Sequence, residues 1–162
     1  MDKFAMIIFG ASGDLTKRKL MPALYSLFRE KRLTGDFHIL GIGRTIYSDE
    51  DYRSYISGEL RTFVKSEEQD AALMEAFISH LCYLPMDPAK EEGYAMLRQR
   101  LVELTNEVDP DNLLFYLATP PSLYGVVPLP ASGCSTFRCN HGILLMLLIL
   151  EQLHCSCQAS VY

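Results

Sequence analysis

A doubly wound, mostly parallel α/β fold is the class this sequence predicts. Three observations carry it. Apolar runs of strand length alternate with amphipathic helical stretches, the pattern of repeated β-α-β units. Residues 113–118 are apolar throughout, as in a parallel strand covered on both faces. The first apolar run, Phe4–Phe9, opens into Gly10-Ala11-Ser12-Gly13 directly ahead of a helix, where two glycines allow close backbone approach to a ligand.

The elements follow in order. After the strand at Phe4–Phe9, Leu20, Leu24, Leu27 and Phe28 recur at helical spacing over residues 15–31. Thr34-Gly35-Asp36 turns the chain into a second strand over 37–42. A helix over 48–64 has Ser48 as its N-cap and acidic residues in its first turn. A second helical stretch, 67–80, presents Leu73, Ala76 and Phe77 on one side, and the two make a long crossover. The third strand is expected over 82–86. A helix over 90–107 follows, with Tyr94, Leu97, Leu101 and Leu104 on its buried stripe. The turn at 109–112 then leads into the strand over 113–118. Parallel crossovers of this kind are right-handed.

Bulk properties fit a single domain with a real core: 162 residues, 49% hydrophobic, formal net charge -5. The acidic balance argues against nucleic acid as a partner, and the basic groups at 17–19 and 29–32 read as solvated helix faces. The N-terminus lacks a signal-peptide pattern, which places the chain in the cytoplasm. The apolar run 143–150 is far short of the roughly 20 residues that span a bilayer, so no membrane association is expected. An odd number of cysteines, five, speaks against a disulfide framework, and Cys82 in its apolar setting reads as a quiet core thiol.

Residues Gly10, Ala11, Ser12, Gly13, Asp14, Leu15, Thr16 and Lys17 form the candidate phosphate cradle. Free amides at a helix start, with its partial positive charge, suit the pyrophosphate of a dinucleotide, and the Ser12 hydroxyl adds a donor. A strand-to-helix turn that binds nothing is the alternative, since Ser12 stands where the middle glycine of Gly-x-Gly-x-x-Gly would be. Within the cradle, Asp14 is expected to cap the helix and Leu15 to pack inward. Arg44, just past the second strand, occupies the place where an acidic residue selects NAD and an arginine grips the 2′-phosphate of NADP. A surface arginine is its alternative. Asp87 follows the third strand at the cofactor edge of the sheet, as a cofactor contact or as a cap for the next helix. His38 and His80 lie in or beside apolar stretches and read as structural residues.

The string Gly10-Ala-Ser-Gly-Asp-Leu-Thr-Lys-Arg-Lys-Leu20, with Pro22-Ala-Leu-Tyr-Ser-Leu-Phe28 behind it, closely resembles the start of the glucose-6-phosphate dehydrogenase family. Gly41-Ile-Gly43-Arg44 and Tyr116-Leu-Ala-Thr-Pro120-Pro121-Ser-Leu-Tyr124 are similar to two further landmarks of that family in the same order. The resemblance implies a Rossmann-like NADP-binding domain over residues 1–129. It adds Tyr124 as a cofactor contact, with packing against the sheet as the other reading. It also places Lys19 near the sugar phosphate. Pro120-Pro121 is a kinked loop in which a cis peptide is possible.

In that family hydride passes from C1 of glucose 6-phosphate to NADP, giving a lactone and NADPH, while a histidine oriented by an aspartate removes the hydroxyl proton. That catalytic α+β portion is absent, because neither His141 nor His154 has the family's flanking pattern; no catalytic residue is expected here. Glucose 6-phosphate is then a ligand only when the missing domain is supplied, and full-length members form homo-oligomers. Residues 129–162 carry Arg138 and Glu151 as their only charges, with four of the five cysteines. From about residue 130 the chain reads as a frame-shifted or truncated tail, which sequencing of the coding DNA would test. Cys134, Cys139, Cys155 and Cys157, with His141 and His154, are poorly spaced for zinc, and no metal site is expected. The competing reading is a non-catalytic NADP-binding sensor or interaction module, or an inactive remnant.

Overall fold

The computed structural model describes residues 4–33, 37–90, 92–105 and 113–119. Four parallel strands, β1 (Phe4–Phe9), β2 (Phe37–Gly43), β3 (Leu81–Pro85) and β4 (Leu113–Leu117), lie in the order β3-β2-β1-β4. The register pairs Phe9 with Ile42 and with Leu117, and Gly43 with Pro85. This is the Rossmann-like sheet the alternating pattern predicts, with the first strand inside and the chain crossing from one side of it to the other. The helices are α1 (Met21–Arg29), α2 (Asp49–Phe63), α3 (Ala71–Ser79) and α4 (Glu92–Thr105). The turns expected at 34–36 and 109–112, and everything from residue 120 onward, lie outside the described residues.

Strand residues are apolar on both sides because both faces of the central strands are covered: Ala5, Ile7, Ile8, Leu40 and Ile42 are all fully buried. Tyr52, Ile56 and Leu60 of α2 and Phe77 of α3 complete the same core at helical spacing. Helix α2 starts where the sequence places it. The Ser48 hydroxyl accepts from the Asp51 amide at 3.0 Å and the Asp51 carboxylate accepts from the Ser48 amide at 3.4 Å, a reciprocal capping box.

One element departs from the 3.6-residue reading. Between Leu15 and α1, residues Thr16–Leu20 form a π-turn rather than an α-helix. The wider turn accompanies a buried Thr16, whose hydroxyl donates to the Gly10 carbonyl at 3.1 Å. Thr16 thereby takes the inward position expected of Leu15, which is 37% exposed.

The outer edge of β3 is closed by side chains. Arg53 Nε donates to the Leu81 carbonyl at 2.8 Å, and the Asp49 carboxylate accepts from the Tyr83 amide at 2.7 Å. Arg100 of α4 pairs with the other Asp49 oxygen. Edge groups held in this way are not offered to a foreign strand. His80 donates from Nδ1 to the Phe37 carbonyl at 2.9 Å and stacks on the Phe37 ring at 4.1 Å, the structural role its apolar setting predicts. Cys82 is buried and free, and burial pushes its thiol pKa up, which keeps it protonated and unreactive. Among the described residues no helix is long and apolar enough to cross a membrane.

Candidate cofactor-binding site

Parallel strands bring the segments after their C-terminal ends to one edge of the sheet. The register therefore sets Gly10, Arg44, Asp87 and Thr119 at the exits of β1, β2, β3 and β4. At the centre is the β1 exit. The Gly10 and Ala11 amides both donate to the Ile42 carbonyl at 2.9 Å, and the Gly13 amide returns to the Gly10 carbonyl at 2.9 Å. Gly10 has φ +85°, and a Cβ there would lie 2.7 Å from the Ala118 carbonyl oxygen, so only glycine fits. Gly41 is also required by space: a Cβ would lie 2.8 Å from Ala11 Cβ and 3.1 Å from the Tyr52 ring.

These bonds correct part of the sequence reading. Of the amides expected to wrap an anion, those of Gly10, Ala11, Gly13 and Lys17 each donate to a carbonyl within the protein. Ser12, Asp14 and Leu15 lie in the first turn, where amide groups precede the helical hydrogen bonds. Asp14 does not cap the helix. It lies inside the first turn, and its carboxylate accepts from Arg18 Nε at 2.8 Å and lies 3.9 Å from Lys17 Nζ. Thr16 braces the loop from beneath rather than meeting a ligand with its side chain.

The remaining candidates divide. Lys17 lies 3.8 Å from Glu59 of α2, tying the loop's helix to its neighbour. Lys19 and Arg44 are exposed, and no carboxylate among the described residues pairs with either. The Asp87 carboxylate accepts from the Ala89 amide at 3.1 Å and its carbonyl from the Lys90 amide at 3.0 Å, so it closes the turn leading toward α4. Tyr124, the Pro120-Pro121 loop and the cysteine-rich segment lie outside the described residues. Thr119, inside the Tyr116–Tyr124 landmark, adds a contact to the loop. Its buried hydroxyl has no hydrogen-bond partner among the described residues, and its methyl lies 3.2 Å from the place a Gly10 Cβ would take.

A tyrosine cluster supports the loop. Tyr52 and Tyr83 pack with ring centroids 4.6 Å apart, and Tyr47 stacks on Tyr55 at 5.5 Å. The buried Tyr52 hydroxyl donates to the Ala11 carbonyl at 3.1 Å. These residues belong to different elements, and only the aromatic content of residues 47–55 hints at them in the sequence. Tyr52→Phe should lower stability by about 1–3 kcal/mol, the cost of leaving a buried carbonyl without its donor, read as a reduced urea midpoint at unchanged slope.

Burial raises the pKa of Tyr52, Tyr55 and Tyr83, and burial with the Asp87 charge raises Tyr94 to about 12. Because the folded state holds these protons more tightly, their contribution is complete below the ordinary tyrosine pKa of about 10 and is lost as pH rises above it. Denaturation midpoints measured at increasing alkalinity should therefore fall from about pH 10 upward.

A family model described as the NAD binding domain of glucose-6-phosphate dehydrogenase matches residues 7–138. The chain belongs to the glucose-6-phosphate dehydrogenase family. It is 46% identical over 124 residues to the glucose-6-phosphate 1-dehydrogenase of Aggregatibacter actinomycetemcomitans, covering 76% of this chain and 24% of that protein. The corresponding enzyme of Leuconostoc mesenteroides is 31% identical over 126 residues, covering 77% of this chain and 25% of that protein. A solved glucose-6-phosphate dehydrogenase in complex with glucose 6-phosphate superposes with TM-score 0.67 at 38% identity, over 76% of this chain and 26% of that one. The Mycobacterium avium enzyme, TM-score 0.66 at 23% identity, shares the fold. The chain thus spans about a quarter of the length of the relatives it matches, at their cofactor-binding portion.

Proposed function

We propose that this chain is the cofactor-binding portion of an NADP-dependent glucose-6-phosphate dehydrogenase, the cytoplasmic enzyme that converts glucose 6-phosphate to 6-phosphogluconolactone in the pentose phosphate pathway. The observation that carries the reading is the β1 exit: Gly10 at φ +85° against Ala118 turns the strand directly into a helix start, where first-turn amides suit an anion. The Thr119 hydroxyl beside it, without a partner among the described residues, supports a polar ligand at that edge. A nicotinamide dinucleotide fits these residues. Ser12, Asp14 and Leu15 hold its pyrophosphate through their amides, and the exposed Arg44 meets the 2′-phosphate that distinguishes NADP from NAD. When bound, the nicotinamide supplies the hydride acceptor.

Asp87 and Tyr124 flank the site in this reading, and Lys19 reaches the phosphate of the sugar once the rest of the enzyme is present. The catalytic histidine belongs to that remainder, which also supports assembly into a homo-oligomer. The 162-residue chain alone is therefore expected to bind NADP only weakly and not to oxidise glucose 6-phosphate. Isothermal titration with NADP and with NAD, beside a glucose 6-phosphate turnover assay, tests this. NADP binding tighter than NAD without turnover supports it; equal affinities, absent binding or turnover by the chain alone would contradict it. The alternative, a non-catalytic NADP-responsive module, predicts a protein partner captured only with NADP present.

A further inference from the structure

Three hydroxyl groups meet beneath the loops that the cofactor reading uses. The Tyr83 hydroxyl, on β3, donates to the Thr45 carbonyl at 2.9 Å. Thr45 Oγ1, in the segment carrying Arg44, donates to Ser12 Oγ at 3.3 Å. Tyr83 and Ser12 are thereby joined through Thr45, by its carbonyl on one side and its hydroxyl on the other. The two bonds form a chain from β3 to the glycine loop: Tyr83 holds the Thr45 backbone, and the Thr45 hydroxyl holds Ser12. Gly43 makes the space for it, since a Cβ there would lie 2.7 Å from the Tyr83 hydroxyl and 3.0 Å from Ser12 Oγ.

We propose that Tyr83 is a positioning residue for cofactor selectivity: its hydroxyl, through Thr45 and Ser12, locks the segment bearing Arg44 to the glycine loop. Two loops from different strands must hold a fixed separation if one grips a pyrophosphate and the other a ribose phosphate of the same molecule. Arg44 itself is exposed and unpaired by any described carboxylate, so its placement depends on the backbone at residues 44–45. That backbone is what Tyr83 holds. Burial raises the Tyr83 pKa, which keeps its proton in place through the physiological range. The inference rests on the dinucleotide reading above.

Tyr83→Phe keeps the ring packing on Tyr52 and removes only the hydroxyl. Titrating the full chain with NADP and NAD should show the NADP-over-NAD preference reduced about 5- to 10-fold, with NAD affinity changed about 2-fold or less. Thr45→Val, which removes the bond to Ser12, should narrow the ratio similarly, and Thr45→Ser should restore it. A merely structural role for Tyr83 would weaken both dinucleotides alike. An unchanged ratio in Tyr83→Phe and Thr45→Val, with wild type still preferring NADP, overturns this inference and leaves the functional reading standing. Wild type without either dinucleotide bound overturns both. Circular dichroism identifies a variant that fails to fold, in which case the Thr45 pair decides.

Discussion

Gly10→Ala is expected to destabilise the domain by about 1–3 kcal/mol and to abolish measurable dinucleotide binding. Two causes add. The backbone at φ +85° is strained for any residue with a Cβ, and that Cβ would lie 2.7 Å from the Ala118 carbonyl oxygen, which β1 holds through the Ala118 amide bonded to Phe9 at 2.8 Å. Relief requires the β1 exit to shift relative to β4, and the helix start shifts with it. Gly58 in α2 is the control. A Cβ there meets nothing within 4 Å, so Gly58→Ala should stabilise by about 0.5–1 kcal/mol without touching binding. Urea denaturation of the two variants, with NADP titration of each, separates loss of the loop from loss of the fold.

Arg44→Ala should weaken NADP binding by about 10- to 150-fold, the equivalent of one charge-assisted contact of about 1.5–3 kcal/mol, and change NAD affinity by about 2-fold or less. The contrast follows from position. Arg44 leaves β2 two residues beyond Ile42, whose carbonyl anchors the glycine loop, and it is exposed with no described carboxylate to satisfy it. Arg44→Lys should recover only part of the loss, because an ammonium cannot make the paired, planar contact of a guanidinium. Parallel losses for NADP and NAD in calorimetry would remove the arginine from the phosphate site.

Much of the fold is legible because its signals are local. The apolar runs at Phe4–Phe9 and Leu113–Leu117 coincide with strands, and Ser48 with Asp51 marks the start of α2 within one residue. The cradle is legible as a position, since a strand, two glycines and a helix follow one another directly. Its detail is not. The π-turn at Thr16–Leu20 depends on a contact from Thr16 back to Gly10, which no helical period encodes, and it exchanges the inward roles of Leu15 and Thr16. The engagement of the Gly10 and Ala11 amides is set by the Ile42 carbonyl of β2, which no local pattern links to the loop it clamps. Tyr52, Tyr83 and Thr119 reach the site only through packing of α2, β3 and β4 against β1. Leu81 begins β3 one residue earlier than the apolar pattern indicates, as β2 pairs it with Ile39.

The proposed arrangement has the β1 exit grip a dinucleotide pyrophosphate while the β2 exit reads its ribose phosphate. A crystal structure of the chain grown with NADP is the decisive test. Pyrophosphate oxygens are expected within about 3.2 Å of the Ser12, Asp14 or Leu15 amides and the 2′-phosphate against the Arg44 guanidinium. NADP lying at another edge of the sheet, or at this edge with its 2′-phosphate turned away from Arg44, would contradict it.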